Sequence, residues 1–361
     1  MIKDFYKKFR IKDYMDNELK EKKIDYIDCS LGTNPFIEKR RVIEYIKKAD
    51  FTPNEYVSNE YLLLKEALLD MYKTYVVDSV NKDNISFGSG TMGIIRNLSE
   101  FIIEKDSNVL GVSPQFTRFI SEVELKQGKY DSYYLKEENN YKFVVDEFIY
   151  KMTPNIDLIY IDNPNNPTGQ IIGIADIEKI VKKAEENGTI VLIDEAYGDY
   201  MDIKNSAITL TEKYDNVITI RSASKFYGLP NHRIGYLFAS KEIIRIYNEI
   251  SIPFPFSDLS ASIFVNALKD YENISKTKEQ VKEAKEYILK SIGSEKYLQT
   301  DNSTPIFTMK TDLDIDLTNK LIELGIITES GKNFVNLDER YSRIRINKEY
   351  RKIVERLKRI L

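Results

Sequence analysis

The sequence predicts an α/β protein: a large domain with a mainly parallel sheet flanked by helices, plus a small α+β domain. Three observations predict it. From about residue 80, short apolar runs alternate with helix-length stretches: Ile85–Phe87, Val109–Val112, Ile156–Ile161, Ile190–Ile193, Val217–Ile220 and Ile234–Phe238. Such alternation is the signature of βαβ units. Beyond residue 293 the rhythm changes to widely spaced strands and short helices. A chain of 361 residues is also more than one minimal core needs, and suits one large domain with a smaller one. The expected division is 46–293 for the large domain, with 1–45 and 294–361 forming the small one.

In chain order, residues 1–23 read as a charged, partly amphipathic helix and turn. Ile24–Leu31 alternates like a short strand, and Gly32-Thr33-Asn34-Pro35 is a turn. Helical spacing follows at 38–48 and at 60–73, where Leu62, Leu63, Ala67, Leu68 and Met71 are expected on one face. After the strand series, helices are expected over 241–250 and 258–292, with Gly293 as a stop. The tail reads as a strand at 305–309, a helix at 316–324, a strand at 343–346 and a basic final helix. No repeat or low-complexity linker interrupts the chain.

Composition narrows the function. Lys+Arg 53 against Asp+Glu 57 gives −4, with the signs interspersed, which argues against nucleic acid as a partner. Cys29 is the single cysteine, so no internal disulfide or thiolate metal cluster is expected. His232 is the single histidine, so a histidine zinc site or a Ser-His-Asp triad would have to be built on it. It reads as a packed loop residue. Residues 1–10 lack the apolar core of a signal peptide, and no run reaches membrane-spanning length, so a cytoplasmic protein is expected.

The chemistry concentrates in Arg221–Tyr236. Lys225 follows an apolar strand, where burial and neighbouring cations lower a lysine's pKa and free its lone pair for a carbonyl. Ser222, Ser224 and Arg233 add hydroxyls and a forked cation, a set that holds one phosphate. An amine that bonds an aldehyde beside a phosphate clamp points to pyridoxal phosphate. Gly88-Ser-Gly-Thr-Met-Gly93 fits G-x-G-x-x-G and opens a second reading, a nicotinamide oxidoreductase. That reading needs an acid at the end of the next strand, and Val109–Val112 ends in Ser113-Pro114. Backbone N–H groups of Gly90 and Thr91 at a helix start would serve a single phosphate instead. Asp162–Gln170 closes another strand with two Asn-Pro steps, and Asp194 ends an apolar strand three residues before Tyr197. A buried carboxylate there wants a cation, and a protonated pyridine nitrogen is one.

The segments N-P-N-N-P-T-G-Q (163–170), D-E-A-Y (194–197) and S-A-S-K-F-Y-G-L-P-x-x-R-I-G-Y (222–236) occur in an order that resembles the fold-type I pyridoxal-phosphate enzymes of the class I/II aminotransferase group. Within that group the chain is similar to histidinol-phosphate aminotransferases and threonine-phosphate decarboxylases. The resemblance implies a seven-stranded-type sheet and pyridoxal 5'-phosphate as cofactor. It makes Lys225 the Schiff-base lysine, Asp194 the partner of the pyridine nitrogen, and Asn166 and Tyr197 the pair on the ring oxygen. Gly90, Thr91, Ser222, Ser224 and Arg233 become the phosphate cup, and Phe116 the aromatic stacked on the ring. Tyr56 resembles the tyrosine that reaches the neighbouring subunit's cofactor, which implies a homodimer, although Val57 stands where the family often has proline. Arg343 resembles the arginine that grips the substrate, with Asn34 and Glu329 beside it on the substrate side. Arg345 is expected on the opposite face of that strand. Both kinds of relative usually carry arginine at the place of Glu329. Either Lys332 offsets this acid, or it turns to solvent, or it selects a substrate whose far end is not a phosphate. The implied reaction is transamination between an amino acid or amine and a keto compound. Decarboxylation of a phosphorylated amino acid is the alternative, because both use the same residue types. No metal is implied.

Overall fold

The apolar runs of the middle of the chain become strands because helices cover both of their faces. A computed structural model describes residues 4–10, 25–57, 61–73 and 80–360. After β1 (Ile27–Asp28) come β2 (Ile85–Ser89), β3 (Asn108–Ser113), β4 (Lys129–Tyr134), β5 (Leu158–Asp162), β6 (Ile190–Asp194), β7 (Val217–Ser222) and β8 (Ile234–Phe238). The last seven form one sheet in the order β2-β8-β7-β6-β5-β3-β4. β8 runs antiparallel to β2 and β7, and the remaining pairs are parallel. β4 escapes sequence reading because Lys129-Tyr-Asp-Ser-Tyr-Tyr134 is half polar. It is an edge strand, paired with β3 alone, where polar side chains are tolerated.

Period-two alternation divides each strand between two apolar layers. Ile159, Ile161, Val191 and Ile193 face one layer with Ile177, Ile180 and Val181 of the helix Ile174–Asn187. Leu158, Tyr160 and Leu192 face the other, with Ile94, Ile95 and Leu98 of the helix Gly90–Ile102. The same parity carries Asp162 and Asp194, in register on adjacent strands, toward this second side at the carboxyl ends of β5 and β6.

Several expectations shift. Of the strand expected over 24–31, two residues are paired, as β1. The helix expected over 60–73 is Leu62–Tyr72, and it buries Leu64, Leu68 and Tyr72 while Leu63 is exposed. The run Leu62-Leu63-Leu64 leaves the phase open, and Tyr72 at i+8 from Leu64 fixes it. The span 258–292 is two helices, Asp258–Leu268 and Tyr271–Ile292, because the Asp270 carboxylate accepts the Asn273 N–H and starts a new one. Of the expected N-terminal helix, Asp4–Lys8 is present; residues 11–24 lie outside the described residues.

The tail supplies β9 (Ile306–Lys310), β10 (Ile326–Ile327), β11 (Glu329–Ser330) and β12 (Tyr341–Arg345). β11, β12 and β9 form an antiparallel sheet, while β10 pairs in parallel with β1 and so ties the chain's two ends together. Val281, Ala284 and Ile288 of the long helix share one apolar cluster with Ile353, Val354 and Leu357 of the helix Tyr350–Leu357. Lys285 on that helix is fully buried, and burial holds its amine well below the usual lysine range. Its Nζ lies 2.6–2.8 Å from four oxygens that share its N–H groups: Thr300 Oγ1, Asp301 O, Thr304 Oγ1 and Ile306 O. Thr304 Oγ1 in turn reaches the Gly169 carbonyl, 2.8 Å away. No helix among the described residues is long and apolar enough to cross a membrane.

Candidate active site

The loops after β2, β3, β5, β6 and β7 gather at the carboxyl edge of the sheet, the place where open α/β sheets bind ligands. They enclose a cavity of about 280 Å³. Thr91, Phe116, Asn166, Asp194, Tyr197, Ser222, Ser224, Lys225, Arg233 and Arg343 all line it, so ten of the sequence-derived candidates meet at one place.

At one end, Arg233 sits in the left-handed region (φ 51°), and its Nη1 donates to Pro230 O at 3.0 Å. Gly90 contributes differently from expectation. Its N–H is already taken by the Arg233 carbonyl at 2.8 Å, so it is not free for a phosphate. Its role is steric: at φ 70° it leaves room for the Arg233 guanidinium, which a Cβ would overlap. Ser222 Oγ accepts the Ser224 N–H at 3.0 Å, which fixes the first turn after β7.

At the floor, Asp194 is buried. Its Oδ1 accepts Ala196 N–H at 2.9 Å and its Oδ2 accepts the Tyr160 hydroxyl at 3.0 Å. Burial raises its pKa to about 6, although these hydrogen bonds and the Lys225 charge pull it back. Lys225, half-buried, holds Nζ 5.4 Å from the centre of the Tyr197 ring. Behind this floor, Arg221 Nε and Nη2 donate to Glu195 Oε2 at 2.8 and 2.7 Å, and Nη1 donates to Asp199 at 2.9 Å. All three side chains are buried, and the cluster joins the ends of β6 and β7 that carry Asp194 and Ser222.

The opposite end belongs to Arg343. Its Nη1 donates to Asn166 Oδ1 at 2.9 Å and its Nη2 to the Ser30 carbonyl, with the Phe334 ring 5.9 Å away. The buried Nε has no hydrogen-bond partner among the described residues. Arg345 does not lie on the other face. Residues two apart on a strand share a face, and Arg345 accordingly reaches the same segment, at the Asp28 and Thr33 carbonyls. Glu329 neither lines the cavity nor turns to solvent. It is the cross-strand partner of Arg343 and is buried, with 3.7 Å between Oε2 and Nη2, and it accepts the Asn333 amide at 2.6 Å. Lys332 pairs with Asp316 and Glu339.

Like Gly90 and Glu329, Asn34 and Tyr56 are not among the residues that line the cavity, and one other residue needs placing. Asn34 spends its amide on the backbone, donating to Phe226 O at 2.7 Å and accepting Phe36 N–H at 2.9 Å. It fastens the Gly32–Pro35 turn to the lysine loop rather than facing a substrate. Tyr56 is 83% exposed and stacks on Phe254 at the surface. His232, half-buried, has Nδ1 3.1 Å from Ser260 Oγ, which fits the packed-loop reading.

The family model described as Aminotransferase class I and II matches residues 25–357. The chain belongs to this family of pyridoxal-phosphate enzymes. Among similar aminotransferase relatives is a histidinol-phosphate aminotransferase from Methanococcus aeolicus, 30% identical over 78% of this chain and 77% of that protein. A protein provisionally named threonine-phosphate decarboxylase, from Caldanaerobacter subterraneus, is 31% identical over 87% of this chain and 84% of its own length. Among solved structures, the histidinol-phosphate aminotransferase of Clostridium acetobutylicum shares the fold with a TM-score of 0.81. It is 23% identical, and the match covers 92% of this chain and 98% of that one.

For this aminotransferase, sequence reading missed Gly32, Tyr160 and Asp162 as parts of the site. A Cβ on Gly32 would overlap the Tyr197 hydroxyl and stand 3.1 Å from Lys225 Nζ. The turn Gly32–Pro35 was visible, but nothing local says which side chains press on it.

Proposed function

We propose that the protein carries pyridoxal 5'-phosphate on Lys225 and uses it to transfer an amino group between a small amino compound and a keto acceptor, in the cytoplasm. The observation that carries this reading is one cavity with a cationic, hydroxylated end at Arg233, Thr91, Ser222 and Ser224. It also holds a buried acid, Asp194, and an amine, Lys225. Those features match the phosphate, ring nitrogen and aldehyde of the cofactor. Bound there, pyridoxal phosphate supplies an electron sink for the bond broken at the substrate's Cα.

The residues divide the work. Arg233 and the hydroxyls hold the phosphate at the start of the helix Gly90–Ile102. Asp194, its two oxygens fixed by Ala196 N–H and Tyr160, would keep a proton on the ring nitrogen. Asn166 and Tyr197 would hold the ring oxygen, and Phe116 would cover the ring. Lys225 Nζ would serve as the base for the substrate's Cα proton. Arg343, which lines the other end of the cavity, would receive the substrate carboxylate. Because Glu329 already balances part of the Arg343 charge, substrates with a second anionic group are expected to be the poorer ones.

The same proposal includes a large domain of 46–293 and a small one of 1–45 and 294–361. It is supported by the helix end at Gly293 and by the pairing of β1 with β10. A homodimer is supported by the exposed apolar group of Tyr56, Ile252 and Phe254.

The test begins with purified protein and added pyridoxal phosphate. A visible absorbance band should form, borohydride should fix the label on Lys225, and Lys225→Ala should lose both. Label on another lysine would refute the assignment. Amino acids, histidinol phosphate, phosphoserine and phosphothreonine are then tried in turn. Keto product marks an aminotransferase. Carbon dioxide would favour the decarboxylase suggested by the relative of that name.

A further inference from the structure

Asp162 is the last residue of β5, in register with Asp194, and it too lines the cavity. No step assigned above uses it. Its side chain is buried, yet it is fully engaged by three donors from two loops. Oδ2 accepts both the Phe116 N–H at 3.2 Å and the Asn166 N–H at 2.9 Å, while Oδ1 accepts Asn165 Nδ2 at 2.8 Å. The same Asn165 amide donates to Pro114 O at 3.0 Å, and Asn165 Oδ1 accepts from Thr168 Oγ1 at 2.6 Å. One carboxylate therefore joins the loop that presents an aromatic plate to the loop that presents an amide.

We propose that Asp162 is a positioning residue of the cofactor site, holding Phe116 and Asn166 at one fixed separation so that the ring enters a preformed slot. This inference rests on the function proposed above. Its physical basis is that one ionised oxygen accepts two backbone N–H groups at once, which a neutral group does less well. An ordered slot also spares the ligand the cost of ordering it on binding.

The charges around Asp162 make the idea testable by pH. Asp194 faces it from β6, Tyr160 from its own strand and Tyr130 from β4; Arg343 reaches the same loop only through Asn166. Burial, with the Asp194 charge adding to it, raises the Asp162 pKa to about 7, against the pull of the three donors. Once protonated, it carries an O–H donor on one oxygen and keeps the other as acceptor; asparagine likewise has donors on one side, its two N–H, and a carbonyl acceptor on the other. Asp162→Asn therefore imitates the acid form.

The experiment measures the dissociation constant of pyridoxal phosphate for the wild type and for Asp162→Asn between pH 5.5 and 8.5. The ratio of the two constants cancels the cofactor's own titration. It should be at least tenfold at the alkaline end and approach one below the titration of Asp162. A ratio within twofold throughout overturns the proposal, and so does a large ratio that does not change with pH, which marks a packing defect. Asp162→Ser is the second variant should the asparagine form fail to fold; it removes the bridge, and affinity at pH 8.5 within twofold of wild type refutes the role. A wild type that binds no pyridoxal phosphate overturns the functional reading and this inference together, whereas an unaffected variant overturns this inference alone.

Discussion

Asp194 is a buried acid whose two oxygens are held by Ala196 N–H and the Tyr160 hydroxyl. In the apoprotein its burial raises the pKa from the ordinary 3.8 to about 6. The native state then holds a proton that the unfolded chain releases, so the associated stability is full below pH 3.8 and is lost as pH rises through about 6. Each pKa unit is about 1.4 kcal/mol. The apoprotein should therefore lose melting temperature between pH 4 and pH 7, and Asp194→Asn should flatten that loss. Asp162, raised to about 7, keeps part of the slope. An Asp194→Asn apoprotein with the same pH slope as wild type would show that burial does not control this proton. Legibility at this scale follows chemistry. Lys225 and Asp194 drew attention because reactive residue types stood where apolar strands ran out, and Asn166, Tyr197 and Arg233 came with the motifs around them; all five line the one cavity. Tyr160 could not, because it looks like one more strand aromatic until β6 lies beside it and its hydroxyl meets Asp194. Glu329 was visible as a misplaced charge, but its partner is the residue opposite it on β12, a fact of register.

At the scale of strands, the site is tied together from behind. The ends of β6 and β7 carry Asp194 and Ser222, and the Arg221–Glu195–Asp199 cluster ties those ends together out of water. Removing one member of a buried ion group leaves uncompensated charge, typically costing about 3–5 kcal/mol. Arg221→Met should cost that much by urea unfolding, while Arg221→Met with Glu195→Leu and Asp199→Leu should recover part of it. A single variant as stable as wild type would mean the cluster is not under load. The middle strands were readable because both of their faces are apolar. β4 was not, since an edge strand need not be. The opposite faces expected for the two arginines of β12 were a miscount: positions 343 and 345 share a face, and both reach back to residues 28–33.

For the whole molecule, the proposed dimer makes a numerical demand. If Tyr56 serves the neighbouring cavity, a mixed dimer of Tyr56→Phe and Lys225→Ala subunits has one site with both residues intact. Mixing the two inactive or weakened proteins should restore activity in proportion to the mixed dimers formed. No gain on mixing would place Tyr56 outside the partner's site. The small sheet meets the large one through long-range contacts that no local pattern encodes, and Lys285 stands on that seam. Its amine is closed in by the segment 300–306, which itself rests on Gly169 through Thr304. An acylating reagent can reach it only when the long helix parts from that segment. The rate at which Lys285 is acylated, read peptide by peptide in the native protein, is therefore a clock for the opening of that seam.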